Sequence, residues 1–186
     1  MARYEFRLSG AGGQGLIFTG MLLGEAAAIY EGKNAVQTQS YGPEARGGAS
    51  RSEVIISDDE IDYPKVRHPD LLLCMAQEAY KKYHAGLKEE GILIVDPQFV
   101  KEVMPQKGPV YSIPLTQIAG EKTGKKITAN VVALGAMAAI TGQVSLEAIR
   151  KAVVKRAPRG TESVNLTALE EGYKAGEKAL KEGKRP

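Results

Sequence analysis

Apolar and polar positions alternate from Tyr4 to Leu8, four glycines then fall within residues 10–15, and a run rich in Leu and Ala continues without proline from Leu16 to Ala28. Alternation of period two predicts a strand, the glycines a tight turn, and the proline-free run a helix. Gly32 fits the stop of that helix, and Asn34–Ser40 predicts a second strand. Arg51–Ser57 reads as another strand, with Asp58-Asp59-Glu60 an exposed turn behind it. The stretch between these two strands is short and has no helical pattern, so the strand from Arg51 is expected to pair antiparallel or to lie at an edge. Asp70–Ala76 is apolar at nearly every position, as strands covered on both faces of a parallel sheet are. Glu78–Leu87 then predicts a helix, Gly91–Pro97 the clearest central strand, and Val110–Leu115 a shorter one. Further helices are expected from Thr128, from Ser145 to about Lys155, and from Asn165 to about Glu182, with Ser145 and Asn165 as N-caps.

Strands alternating with helices in this way specify an α/β fold: one Rossmann-like domain over residues 1–186, its mostly parallel sheet flanked by helices, with one candidate antiparallel edge strand. No internal repeat interrupts the pattern.

Gly10, Gly12 and Gly15 fit G-x-G-x-x-G, in which glycines permit the turn, let backbone approach a ligand and let the helix pack close to the sheet. The unpaired N–H groups of such a helix start suit an anion. A dinucleotide fold also places an acidic residue at the end of the second strand, to hold ribose hydroxyls, and Asn34–Ser40 ends without one. No Gly-Lys-Ser/Thr follows to make a nucleoside triphosphate loop.

Composition narrows the classes further. A chain of 186 residues buries roughly 70% of its unfolded surface, enough for a core without disulfide or metal. No apolar run is long enough to cross a bilayer, and charge lies within residues 1–7 where a signal peptide would be apolar; a cytoplasmic protein with no membrane partner is expected. The net charge is +3, with an excess of basic residues after position 150. Those lysines alternate with glutamates at helical spacing and have no aromatic neighbours for base stacking, so no nucleic-acid partner is expected.

Candidate chemistry gathers in two loops. Arg46 can hold a phosphate or carboxylate by two-point contact, with Gly47 and Gly48 freeing the neighbouring backbone N–H groups, or it pairs with Glu44 or Glu53 while the glycines turn the chain. Tyr41 stacks on a ligand or anchors its loop. Gln14 offers an amide to a ligand or fastens its own turn, and Thr38 and Gln39 have the same choice at the strand end. None of these is a general base. Cys74, in Leu71-Leu72-Leu73-Cys74-Met75, reads as a buried inert thiol, and one cysteine cannot hold an iron-sulfur cluster. His68 and His84 have no spacing that suggests a metal site or a triad. The small residues of Asn130–Ile140 suit close packing, against the sheet or against a second copy of the helix.

Three motifs in order, Gly10-Ala11-Gly12-Gly13-Gln14-Gly15, Tyr41-Gly42-Pro43-Glu44-Ala45-Arg46-Gly47-Gly48 and Asn130-Val131-Val132-Ala133-Leu134-Gly135-Ala136, together resemble the gamma subunit of 2-oxoacid:ferredoxin oxidoreductases over nearly the whole chain. Within that family the second loop is most like the 2-oxoglutarate type. The resemblance implies a complex that decarboxylates a 2-oxoacid on thiamine diphosphate with Mg, passes electrons through iron-sulfur clusters to ferredoxin and transfers the acyl group to coenzyme A. It also implies that thiamine and clusters sit on partners, namely alpha, beta and a ferredoxin-like delta subunit, and that the isolated chain is inactive and able to form a homodimer. The implied role of this chain is assembly and coenzyme A access, with Gly10, Gly12, Gly13, Gln14, Gly15, Tyr41, Arg46, Gly47 and Gly48 at the ligand or subunit contact and no catalytic or metal-binding residue. A stand-alone nucleotide- or phosphate-binding regulatory module, and the pyruvate or branched-chain version of the complex, are the competing readings.

Overall fold

The computed structural model describes residues 3–40 and 48–183. Its strands are β1 (Tyr4–Ala11), β2 (Asn34–Ser40), β3 (Ala49–Ser57), β4 (Leu71–Cys74), β5 (Ile92–Val95) and β6 (Val110–Ser112). Its helices are α1 (Leu16–Glu25), α2 (Gln77–Tyr83), α3 (Leu115–Thr123), α4 (Ala129–Thr141), α5 (Leu146–Arg156) and α6 (Glu162–Glu182). A π-helical turn, Ala26–Tyr30, prolongs α1.

The strands form one sheet in the order β2-β3-β1-β4-β5-β6. β1, β4, β5 and β6 pair parallel, and β3 runs antiparallel to both β1 and β2. The antiparallel expectation for this strand is met, but its edge position is not. Val54, Ile55 and Ile56 are consecutive and all buried, so β3 is apolar on both faces and belongs inside the sheet. β2, with its polar Asn34, Gln37, Thr38 and Gln39, takes the edge instead.

Alternate residues of the central strands feed two cores. Phe6, Leu8, Leu71, Leu73 and Ile94 pack against residues of α1, α3, α4, α5 and α6 on one face. Leu72, Cys74, Leu93 and Val95 pack under Ala79, Tyr80 and Tyr83 of α2 on the other. Among the described residues α2 is the only helix on that second face.

The small residues of α4 are covered within the chain rather than by a second copy. A Cβ on Gly135 would lie 2.1 Å from the Leu169 carbonyl oxygen, and one on Gly172 would lie 2.0 Å from that of Val132. The backbones of α4 and α6 therefore touch, and only glycine fits at the crossing.

Two helix starts differ from expectation. Ser145 does cap α5, its Oγ accepting from the Ala148 N–H at 3.2 Å. Asn165, however, lies inside the first turn of α6, where its Nδ2 donates to the Thr161 carbonyl and hydroxyl, and the helix begins at Glu162. The strand expected over Val110–Leu115 ends at Ser112, and α3 starts at Leu115 without any local capping side chain. Its cap comes from Asp96, at the end of β5.

A candidate ligand cleft at the carboxyl edge of the sheet

β1 carries the chain to the carboxyl edge, where Gly12–Gly15 reverse it into α1. Gly13 and Gly15 have φ of 87° and 75°, a left-handed geometry that favours glycine. Gly10 is required for space: a Cβ there would lie 2.2 Å from Gln14 Oε1. Gly12 is different, since a Cβ there meets no atom within 4 Å, and its backbone faces open space.

Gln14 fastens this turn at both ends of its amide. The Ala11 N–H donates to its Oε1 at 2.7 Å, and its Nε2 donates to the Met75 carbonyl at 2.9 Å, tying the turn to the end of β4. Asn130 of α4 donates through Nδ2 to the Gly15 carbonyl at 3.1 Å, so the start of α1 is held from a second side. Both ends of the Gln14 amide thus fasten its own turn, and one N–H of Nε2 and one lone pair of Oε1 are not used in these two bonds.

Gly13 and Gln14 form one wall of a cleft of about 420 Å³. Met75, Gln98, Phe99, Thr116, Lys126, Ile127 and Ala129 complete it. Phe99 is 40% and Ile127 65% exposed, large apolar side chains left uncovered in the mouth of a cavity. Lys126 brings a cation, and it is shared with a second groove that runs on past Gln98, Pro97 and Lys101. Apolar walls, the glycine turn that leads into α1 and a lysine suit an elongated ligand with both apolar and anionic parts.

Beside the cleft, Asp96 is fully buried and occupied: Oδ1 accepts from the Gln98 N–H at 3.0 Å, and Oδ2 accepts from the Thr116 N–H and hydroxyl at 2.9 and 2.6 Å. This carboxylate caps α3 and pins the Pro97–Val100 turn beside the cleft. Cys74 is fully buried, and burial pushes its thiol up to about 12 despite a hydrogen bond with Ser9, so it holds no thiolate at neutral pH. Among the described residues no three His, Cys, Asp or Glu side chains converge as metal ligands.

Of the residues singled out from the sequence, Gly10, Gly12, Gly13, Gln14 and Gly15 come together in the turn. Gly48 lies on the same edge: Ala49 and Ser50, which follow it, pair with Ala11 and Gly10. Tyr41, Arg46 and Gly47 lie outside the described residues. Sequence reasoning missed Met75, Gln98, Phe99, Lys126 and Ile127. The carboxyl-end rule for open α/β sheets pointed to the first three, which directly follow β4 and β5; Lys126 and Ile127 reach the cleft only through tertiary packing.

Residues 5–175 match the family described as pyruvate ferredoxin/flavodoxin oxidoreductase. The chain belongs to this family. Among its oxidoreductase relatives, the 2-oxoglutarate synthase subunit KorC of Methanocaldococcus jannaschii is 53% identical over 173 residues, covering 92% of each chain. A solved keto/oxoacid ferredoxin oxidoreductase gamma subunit from Geobacter sulfurreducens is 49% identical with a TM-score of 0.89, covering 96% of this chain and 99% of its own. The fold is shared as well by 2-oxoglutarate:ferredoxin oxidoreductase from Magnetococcus marinus, at 22% identity and a TM-score of 0.83, where 96% of this chain corresponds to 32% of a longer one. The same fold thus occurs as a separate subunit in the Geobacter structure and as part of a longer chain in the Magnetococcus one.

Proposed function

We propose that this chain is the gamma subunit of a 2-oxoglutarate:ferredoxin oxidoreductase, in which 2-oxoglutarate and coenzyme A yield succinyl-CoA, CO2 and reduced ferredoxin. Its part is to assemble with alpha, beta and ferredoxin-like delta subunits in the cytoplasm and to bind or admit coenzyme A. The observation that carries this reading is the cleft between the glycine turn and Phe99, Lys126 and Ile127. The relatives named as 2-oxoglutarate synthase subunits support the substrate, and the Magnetococcus structure of the same fold holds 2-oxoglutarate, coenzyme A and succinyl-CoA.

Coenzyme A has the parts this cleft asks for. Its phosphates suit the N–H groups at the start of α1 with Lys126, and its adenine and pantetheine suit the apolar side chains of Met75, Phe99 and Ile127. Gly12 and Gly13 give close backbone approach and Gln14 holds the turn in shape; Arg46, outside the described residues, enters only through the resemblance, as a residue whose type suits two-point phosphate contact. The residues of this chain do not fit thiamine diphosphate or an iron-sulfur cluster: the sequence has no Gly-Asp-Gly and a single cysteine, whose thiol is buried. Those groups belong to the partner subunits. A chain separated from its partners leaves their contact surface free, and self-association of the isolated subunit follows.

An anaerobic pull-down of the tagged chain tests the reading, with the eluate assayed for reduction of a viologen dye. Co-purification of the partner subunits with 2-oxoglutarate-dependent, coenzyme A-dependent dye reduction is the expected result. Arg46→Ala and Lys126→Ala should each raise the Michaelis constant for coenzyme A about tenfold and leave assembly intact. A single inactive chain that binds a nucleotide unaided would establish the regulatory module instead, and unchanged constants in both variants would remove the coenzyme A assignment.

A further inference from the structure

On the face of the sheet opposite α1, three cations surround one aromatic ring. The guanidinium carbons of Arg7 and Arg51 lie 5.8 and 5.5 Å from the centre of Tyr83, and the Lys82 ammonium lies 5.6 Å from it. Among the described residues Glu53 is the one carboxylate paired with these cations. It is committed to Arg7, whose Nε donates to its Oε1 at 2.6 Å, both side chains being buried, and it reaches Arg51 only at 3.9 Å. Arg7 also donates through Nη2 to the Val66 carbonyl at 3.1 Å.

Arg51 is left over from this arrangement. Its side chain is 34% exposed and makes no hydrogen bond among the described residues, and neither does the hydroxyl of Tyr83. A guanidinium has five N–H donors in a fork that matches a carboxylate, and here the fork is one third exposed, beside an exposed lysine. The cluster carries two more positive charges than negative, in a place partly shielded from water by α2 and the sheet. Surplus charge of this kind is costly alone and favourable once paired. Among the described residues this face carries one helix, α2, seven residues long, whereas five helices cover the other.

We propose that Arg51, Lys82 and the Tyr83 hydroxyl receive an acidic side chain of a partner subunit, so that the α2 face is a docking surface of the complex. The proposal rests on the subunit reading above. The incoming carboxylate accepts two N–H groups of Arg51 and the hydroxyl hydrogen of Tyr83, with Lys82 alongside. Charge complementarity selects the occupant: the cluster offers donors and cations and asks for an anion.

Association of the full chain with the remaining subunits, purified together without it, provides the test when followed by biolayer interferometry at 50 and 500 mM salt. The wild-type chain binds, and Arg51→Glu and Lys82→Glu are each expected to slow association about tenfold at low salt, with the gap closing at high salt as charges are screened. Arg51→Gln should fall between, and Lys82→Glu, on an exposed side chain, should leave the melting temperature unchanged. Variants that associate at the wild-type rate at both salt concentrations overturn the docking surface alone. A wild-type chain that binds none of the other subunits overturns the subunit reading, and the docking surface with it.

Discussion

The hydroxyl and the backbone N–H of Thr116 both donate to the buried Oδ2 of Asp96, twenty residues before it, at 2.6 and 2.9 Å. One carboxylate thus starts α3 and, through Oδ1 and the Gln98 N–H, shapes the turn that carries Phe99. Asp96→Ala strands these three donors and should cost about 3 kcal/mol. Hydrogen exchange followed by mass spectrometry checks it: Leu115–Thr123 and Pro97–Val100 should exchange faster, and β1 should not. Uniform acceleration across the sheet would mean that the carboxylate serves global stability only.

Gly12 and Gln14 separate access from shape within one turn. Gly12→Ala puts a methyl group into open space and should change stability by less than about 1 kcal/mol while raising the Michaelis constant for coenzyme A. Gln14→Ala leaves the Ala11 N–H and the Met75 carbonyl without their partner and should cost about 1–3 kcal/mol. Urea denaturation of the two variants beside their kinetics makes the comparison. Equal losses of stability would refute this division.

Gly135 and Gly172 admit no side chain. Because the atoms in the way are the backbone oxygens of Leu169 and Val132, the crossing can relieve an added methyl only by moving α4 off α6. Each alanine variant should lose about 3 kcal/mol, lowering Tm by roughly 6–12 °C. Differential scanning calorimetry reads the shift, and a variant melting within 2 °C of wild type would contradict the close contact.

Stability should depend on acid through Glu25. Burial raises its carboxyl, but hydrogen bonds and charge from Arg156 and Lys155, at 2.5 and 3.0 Å, outweigh it and hold Glu25 below the ordinary carboxylate value. A group depressed in the folded state stabilises above its unfolded value, about 4.3, and ceases to do so as pH falls through the folded one. The stability difference between wild type and Glu25→Gln should therefore be constant from pH 7 to about 5 and shrink below about pH 4. Urea midpoints across that range measure it, and a difference independent of pH would exclude this carboxylate as a source.

What the sequence told depended on how far each signal had to travel. β2 spans Asn34–Ser40 as read, and Ser145 caps α5, because alternation and capping act within a few residues. α3 was illegible because its cap, Asp96, belongs to another element. Asn165 misled because an asparagine in a first turn can donate backward to residue 161 as readily as it can cap. The inner position of β3 was there to be read in Val54-Ile55-Ile56, three apolar residues in succession that an edge strand would not need. Of the cleft, the glycine wall was visible as a motif, whereas Phe99 and Ile127 reach the same cavity only once β5 and α4 are in place.

The reversed strand also decides what the glycine turn can hold. Where a nicotinamide dinucleotide binds such a turn, the ribose reaches the tip of the adjacent parallel strand, and an acidic group there grips its hydroxyls. Here the neighbour of β1 on the β2 side is the beginning of β3, and the tip of β2 stands two strand spacings away, on the order of 10 Å. A carboxylate engineered at Ser40 would fall short of any ribose seated at Gly12. On that side of β1 a reversed strand holds the place from which a dinucleotide fold reaches the ribose.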